Sequence, residues 1–278
     1  MNTSSWLFRF SVKKAFDYIG RDPDKNLPKL MNWVDAVAGT GPDSFQVQRN
    51  AFRKVIGDPD NNMHKLLWSV WNDIDAGVLK KTFENFVLNA ALKGWKQEQK
   101  MRTKYNCNIP WAILLDPTSA CNLHCTGCWA AEYGNKLNLS FDEIDSIITQ
   151  GKKLGVYFYI YTGGEPLVRK DDLIAIARKH NDCEFMTFTN STLIDEQFAD
   201  NLLSIKNFIP VISVEGFEEA TDARRGQGTF NKVVKAMEIL KRKHLPFGIS
   251  CCYTSRNLDS ITDDAYFDQM ISWGAKFV

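Results

Sequence analysis

Hydrophobic and polar positions follow two rhythms along this chain. Through residues 1–106 apolar side chains recur at helical spacing, so this stretch reads as helices throughout. After Asn108 they condense into short β-rich runs: WAILLDPT (111–118), FYIYTGG (158–164), FMTFTNS (185–191), FIPVISVEG (208–216) and FGISCCYT (247–254). The stretches between these runs read mainly as loop plus helix. Ser140-Phe-Asp-Glu143 forms a capping box that opens a helix through Lys153, and Asp195 and Thr229 are expected N-caps of later helices. Five strands alternating with helices imply parallel β/α units with right-handed crossovers, either as an open doubly wound sheet or as a barrel. Trp273-Gly-Ala-Lys-Phe-Val278 reads as the start of a sixth strand.

Two features mark the helical part. Ala15-Phe16, Ile19 and Asp22-Pro23-Asp24 return 36 residues later as Ala51-Phe52, Val55 and Asp58-Pro59-Asp60. Each copy reads as a helix, an Asp-Pro-Asp break and a second helix, because proline sets φ for a new helix start. From Ile74 to Lys100 a long helix is expected, with Leu79, Phe83, Phe86, Ala90 and Gly94 on one stripe and five lysines elsewhere. That helix either packs on the following domain or makes a peripheral membrane contact.

Composition narrows the class. With 44% hydrophobic and 24% charged residues the chain is an ordinary globular protein, and its net charge of +1 gives no reason to expect nucleic acid. MNTSSWLFRF has too short an apolar run for a signal peptide, and no stretch reaches the length of a membrane span. Seven cysteines in such a chain point to reduced thiols, metal or catalysis, and to the cytoplasm.

The chemistry concentrates at one rim. In a parallel β/α fold, ligands gather at the C-terminal ends of the strands. CNLHCTGCW (121–129) follows the first strand, Gly-Gly-Glu-Pro the second, Thr-Asn-Ser the third and Val-Glu-Gly the fourth. Cys121, Cys125 and Cys128 are soft ligands for zinc or for an iron–sulfur cluster. A closed zinc site wants a fourth ligand, and His124, beside Cys125, is strained for that role. A cubane held by three cysteines instead leaves one iron open for a substrate or cofactor.

C-x3-C-x2-C after the first strand, with Gly163-Gly164-Glu165-Pro166 after the second, resembles the radical S-adenosylmethionine (radical SAM) superfamily over residues 108–278. The resemblance implies an α/β fold, a partial (β/α)6 TIM-like barrel over 107–278, incomplete at the sixth strand; the all-α N-terminal extension over 1–106 lies outside it. It also implies a 4Fe-4S cluster on Cys121, Cys125 and Cys128, with S-adenosyl-L-methionine (AdoMet) chelating the fourth iron. The reduced cluster would cleave AdoMet to a 5′-deoxyadenosyl radical that abstracts hydrogen from substrate. By similarity, Gly163, Gly164 and Glu165 receive the AdoMet ammonium, Ser213 and Glu215 face its ribose and carboxylate end, and Arg225 pairs with its carboxylate. Asn190 would face AdoMet or substrate, or cap the next helix. Ser191 stands where relatives carry glycine, and Glu215 where many carry aspartate. Relatives place an aromatic residue where this chain has Gly127; Trp129 either stacks on adenine or packs against the barrel.

The resemblance further implies a reducing partner such as flavodoxin or ferredoxin. The substrate is open among a peptide, a cofactor precursor and a lipid, the last using the 74–100 helix. A truncated, catalytically inactive iron–sulfur or zinc-binding scaffold is the alternative. Met186 and Ile249 are expected in the core. Cys107, Cys183, Cys251 and Cys252 lack cluster spacing, and one of the last two should look into the barrel, since neighbours on a strand face opposite ways.

Overall fold

The structure, a computed structural model, describes residues 14–38 and 46–278, so the N-terminal decapeptide read above lies outside the described residues. The chain divides into two compact units, Met1–Asn72 and Asp73–Val278. The change of rhythm near residue 106 therefore falls inside the second unit. Secondary-structure type changes there, but the helices just before it belong with the sheet.

In the first unit, residues 14–19 are helical, and α1 (Pro23–Ala38), α2 (Gln46–Ile56) and α3 (Asn62–Asp73) follow. Both copies of the echo take a helix–break–helix form, but they start their second helices differently. Asp22 accepts from Lys25 N at 3.2 Å, and Pro23 opens α1. Asp58 turns instead to Asp60 N, so Asn61 takes over by accepting from Met63 N at 2.8 Å, and α3 begins three residues later in the repeat.

The second unit opens with one continuous helical run: α4 (Ala76–Thr82), a π-helical stretch (Phe83–Gly94) and α5 (Trp95–Tyr105). Asp75 caps α4 through Val78 N at 2.9 Å. The buried face is Val78, Asn85, Leu88, Asn89, Ala90, Gly94 and Glu98, whereas Phe86 is exposed and Leu79 and Phe83 are half-buried. The expected stripe assumed 3.6 residues per turn. The i→i+5 winding widens the turn and rotates other positions inward. Two asparagines are buried because they close backbone carbonyls leading into the third strand. Asn85 Nδ2 donates to Asn181 O and Cys183 O at 3.1 and 2.8 Å, and Asn89 Nδ2 donates to Asp182 O at 3.0 Å.

The sheet contains β1 (Ala112–Leu115), β2 (Phe158–Tyr161), β3 (Glu184–Thr189), β4 (Phe208–Ser213) and β5 (Gly248–Ser250), parallel and in that spatial order. The helices between strands are α6 (Phe141–Leu154), α7 (Lys170–Lys179), α8 (Glu196–Ile205), α9 (Glu218–Arg225) and α10 (Thr229–Arg242); α11 (Leu258–Thr262) and α12 (Asp264–Trp273) follow β5. Sequential order without reversal is the winding of a barrel, not of a doubly wound sheet, which reverses direction midway. Beyond α12, Lys276 N donates to Phe247 O and Ile249 N to Phe277 O, at 3.0 and 2.9 Å, so the expected sixth segment does lie along β5.

Register decides which side chains can reach the rim. Leu114 lies opposite Ile160, Ile160 opposite Met186 and Met186 opposite Ile209, and these share the inner face. Tyr159, Tyr161, Phe185 and Phe208 take the helix-facing side, where Tyr161 and Phe185 stack at 5.7 Å and Phe198 of α8 meets Phe208 edge-on. Ile249 is buried in the core as expected, while Met186 sits half-buried on the inner face.

The expected caps are found with one exception. Ser140 and Glu143 form both halves of the capping box, and Asp195 accepts from Phe198 N at 2.7 Å. Thr229 is the first residue of α10, not its cap. Asp222 of α9 takes that role, accepting from Gly228 N and Phe230 N at 2.6 and 2.8 Å. A carboxylate reaching over from the preceding helix satisfies the free N–H groups better than the Thr229 hydroxyl, which donates back to Arg225 O.

Candidate active site

The cysteine loop leaves β1 and is stitched to the two segments beside it. Gly164 N donates to Thr118 O at 2.9 Å and Glu165 N to Ala120 O at 2.8 Å. Farther along, Thr126 N donates to Arg224 O at 2.8 Å. Glycine is required at 164 because a Cβ would meet loop backbone, including Ser119 O at 2.6 Å. Gly163 has φ +105, which L side chains seldom adopt.

The loop carries all three thiols onto one cavity of about 540 Å³. Its wall includes Cys121, Cys125, Cys128, Gly163, Gly164, Glu165, Asn190, Ser213 and Arg225, nine of the ten expected site residues. Glu215 is the exception. It is fully buried behind the wall and bound by Arg224 Nη1 at 2.7 Å and by both Nε and Nη2 of Arg225, the latter at 2.6 Å. Glu215, expected to face AdoMet, carries an internal charge network.

Glu165 is similarly occupied. Only 1% exposed, it accepts from Leu167 N and Thr189 Oγ1 through Oε1, at 2.9 and 2.7 Å, and from Asn190 N through Oε2 at 2.7 Å. Burial pushes its carboxyl above the ordinary range against the pull of these donors. Its carboxylate ties the Gly-Gly loop to the end of β3.

Asn190 accepts from Thr192 N and Oγ1 at 3.0 and 2.7 Å, and its Nδ2 donates to Asn122 Oδ1 at 2.9 Å. Leu123 N and Asn190 Nδ2 lie 3.4 and 3.9 Å from Cys121 Sγ, and Arg225 Nη1 lies 4.0 Å from Cys125 Sγ. Burial pushes the Cys121 and Cys125 thiols up, and the Arg225 guanidinium opposes this at Cys125. His124 is exposed and off the cavity wall.

Several wall residues escaped sequence reasoning: Leu114, Asp116, Thr162 and Phe188. Inner-face parity would have found them, since Asp116 and Thr162 each continue a strand two residues beyond an inward position. Thr162 donates to Asp116 Oδ1 at 2.5 Å. Of the two adjacent cysteines, Cys252 lines the cavity, while burial and the nearby Glu215 charge push Cys251 up to about 11. Trp129 is 59% exposed, so it does not pack into the barrel. It lines the main cavity and a second one of about 500 Å³, which shares Asp116, Gly163 and Gly164 and is walled further by Tyr133 and Lys136.

The donor set suits a polyatomic cluster. Among the described residues no three His, Cys, Asp or Glu side chains are gathered closely enough to hold a single metal ion. The three thiols instead line one cavity, with N–H donors beside two of the sulfurs, contacts of the kind that tune iron–sulfur sites.

A barrel-type parallel sheet with three loop thiols facing a Gly-Gly turn defines the class. A sequence profile described as the Radical SAM superfamily matches residues 115–265, more than half of the chain, and the chain belongs to that family. Its members are enzymes that use a 4Fe-4S cluster and AdoMet.

Among individual proteins, the chain is similar to an AdoMet-dependent heme synthase from Methanosarcina barkeri. Identity is 31% over 161 residues, covering 56% of this chain and 46% of that protein. A cysteine-type anaerobic sulfatase-maturating enzyme from Clostridium perfringens is 31% identical over 167 residues, covering 52% and 45%. Among solved structures, native anSMEcpe with bound AdoMet and Cp18Cys peptide aligns at TM-score 0.50 and 28% identity, covering 60% of this chain and 50% of that one. The chain thus spans about half the length of these relatives.

Proposed function

We propose that this chain binds a 4Fe-4S cluster through Cys121, Cys125 and Cys128, holds AdoMet beside it, and starts radical chemistry on a peptide or cofactor precursor. When bound, the reduced cluster supplies the electron that cleaves AdoMet to a hydrogen-abstracting 5′-deoxyadenosyl radical. The convergence of the three thiols and the Gly163–Gly164 turn on one cavity of about 540 Å³ carries this reading.

The residues around that cavity have separable tasks. The Gly163–Gly164 backbone and Ser213 give AdoMet a close-fitting wall, and Trp129 offers an aromatic face between the two cavities. Leu114, Ile160, Met186 and Phe188 line the inner face with apolar groups, which keep water from a reactive intermediate. The Asp116–Thr162 pair faces the remaining space, where it can orient a hydrogen-bonding substrate.

The named activities of relatives on sulfatases and in heme synthesis favour a peptide or cofactor precursor. A lipid substrate would use the basic amphipathic run along residues 74–100, whose buried side is packed around the carbonyls of 181–183. No helix among the described residues is long and apolar enough to cross a membrane. A low-potential flavodoxin or ferredoxin is the expected reductant.

Anaerobic reconstitution with iron and sulfide, then dithionite and AdoMet, tests the reading. The expected results are about four irons per chain, an AdoMet-dependent change in the electron paramagnetic resonance (EPR) signal, and formation of 5′-deoxyadenosine. A loaded cluster that yields no 5′-deoxyadenosine would establish the inactive scaffold instead.

A further inference from the structure

We infer that Asn190 and Arg225, both assigned to AdoMet by family resemblance, act in this chain as positioning residues for the cluster: they donate hydrogen bonds to the Cys121 and Cys125 thiolates and raise the cluster's reduction potential. The inference rests on the cluster reading above and asks what these two side chains have left to offer.

Arg225 has committed its planar fork. Its Nε and Nη2 both bind Glu215, which is fully buried, so the Arg–carboxylate pairing that AdoMet would need is already made inside the protein. The remaining terminal nitrogen, Nη1, is the one beside Cys125 Sγ, at 4.0 Å. Arg224 also binds Glu215, so two guanidinium groups share that carboxylate beside the loop. The same pair of residues holds the loop by main chain, because Arg224 O accepts from Thr126 N at 2.8 Å. The end of α9 therefore grips Cys125 and Thr126 together. Its own position is fixed by Asp222, which binds Gly228 N and Phe230 N.

Asn190 is committed in the same sense. A neutral amide offers two N–H donors and two acceptor lone pairs. Thr192 N and Thr192 Oγ1 occupy the oxygen, while Asn122 Oδ1 and Cys121 Sγ receive the nitrogen. Its backbone N–H is held by Glu165. With Leu123 N, Cys121 thus has two donors and Cys125 has a cationic one.

Donors to cluster sulfur stabilise whichever oxidation state carries more negative charge, which is the reduced one. They make the cluster easier to reduce. Glu215 keeps Arg225 aimed at sulfur, and Thr192 with Asn122 does the same for Asn190.

The test uses the full chain, reconstituted anaerobically and without AdoMet, in a redox titration followed by EPR. The variants are R225M and N190A. Arg224 remains to neutralise Glu215 in R225M, so no buried carboxylate is left unpaired. Each variant is expected to hold about tenfold less reduced cluster at a fixed potential, a shift of ~59 mV for one electron.

A change below threefold in the AdoMet-free cluster, particularly with weakened AdoMet binding, overturns the inference and returns these residues to AdoMet. A variant that folds normally yet takes up no iron also counts against it, since tuning does not require loss of the cluster. Should R225M fold poorly, N190A reads the same effect at Cys121 by the same threshold. A wild-type chain that assembles no 4Fe-4S cluster refutes the parent reading; a loaded wild type whose potential ignores both substitutions refutes only this one.

Discussion

Replacing Glu184 with glutamine should remove one cause of the protein's loss of stability in alkali. Glu184 opens β3, is 1% exposed, and accepts from Thr82 Oγ1 at 3.1 Å through Oε1; its Oε2 has no hydrogen-bond partner. Burial pushes this carboxyl from an ordinary 4.5 up to about 8, against weaker pulls from Thr82, Asn85 and the Lys81 charge. The folded chain therefore holds the proton where the unfolded chain releases it. Stability from this group is full below pH 4.5 and drains away as pH rises through 8. At about 1.36 kcal/mol per unit, the whole window is of order 5 kcal/mol. Glutamine stays neutral throughout but adds a buried N–H pair, which costs about 1–3 kcal/mol where it finds no acceptor. E184Q is thus expected to equal or trail the wild type at pH 5 and to exceed it at pH 9. Urea midpoints of the apo chain at pH 5, 7 and 9, with the slope m unchanged, measure this. Parallel stability curves for the two proteins would refute the reasoning, because the wild type would then carry no buried titration at this position.

Two further substitutions probe the rim. Ser191 has φ +59, is fully buried, and leaves its hydroxyl without a partner. S191G should stabilise the chain by about 1 kcal/mol, since a non-glycine residue pays roughly 1–2 kcal/mol in that region, partly offset by glycine's entropy; a rise of about 2–4 °C in Tm is the readout. G164A should push the cysteine loop away from the second strand, because the new methyl meets the carbonyls of residues 119 and 120. A cost of about 1–3 kcal/mol and impaired iron uptake are expected; unaltered melting and iron content would show that the contact is slack.

Much of the rim was legible because its parts obey local rules. The cysteine spacing, the paired glycines and the alternation of strand and helix are all sequence-near signals, and nine of ten expected site residues share the cavity wall. What escaped depended on register or on long-range pairing. The inward positions of Asp116 and Thr162 follow from parity once an inward position on each strand is known. Glu215 could be placed at the end of β4 by sequence. That two arginines from α9 would claim it is a tertiary fact, with residues nine and ten positions apart meeting across a turn. The 74–100 stripe held only at Ala90 and Gly94 for another reason, since a π-helical winding leaves no signature in a pattern read at the α-helical period. Thr229 illustrates competition: a plausible hydroxyl cap lost to a carboxylate from the neighbouring helix.

The fastening of the cysteine loop has a bearing on how the protein ages. Segments 118–120 and 126 are pinned by hydrogen bonds to glycine, glutamate and arginine backbone from two other places in the chain. None of those pins involves a thiol. Loss of a centre bound there would therefore leave the backbone anchorage of the loop in place, and refilling would depend on the three thiols remaining reduced.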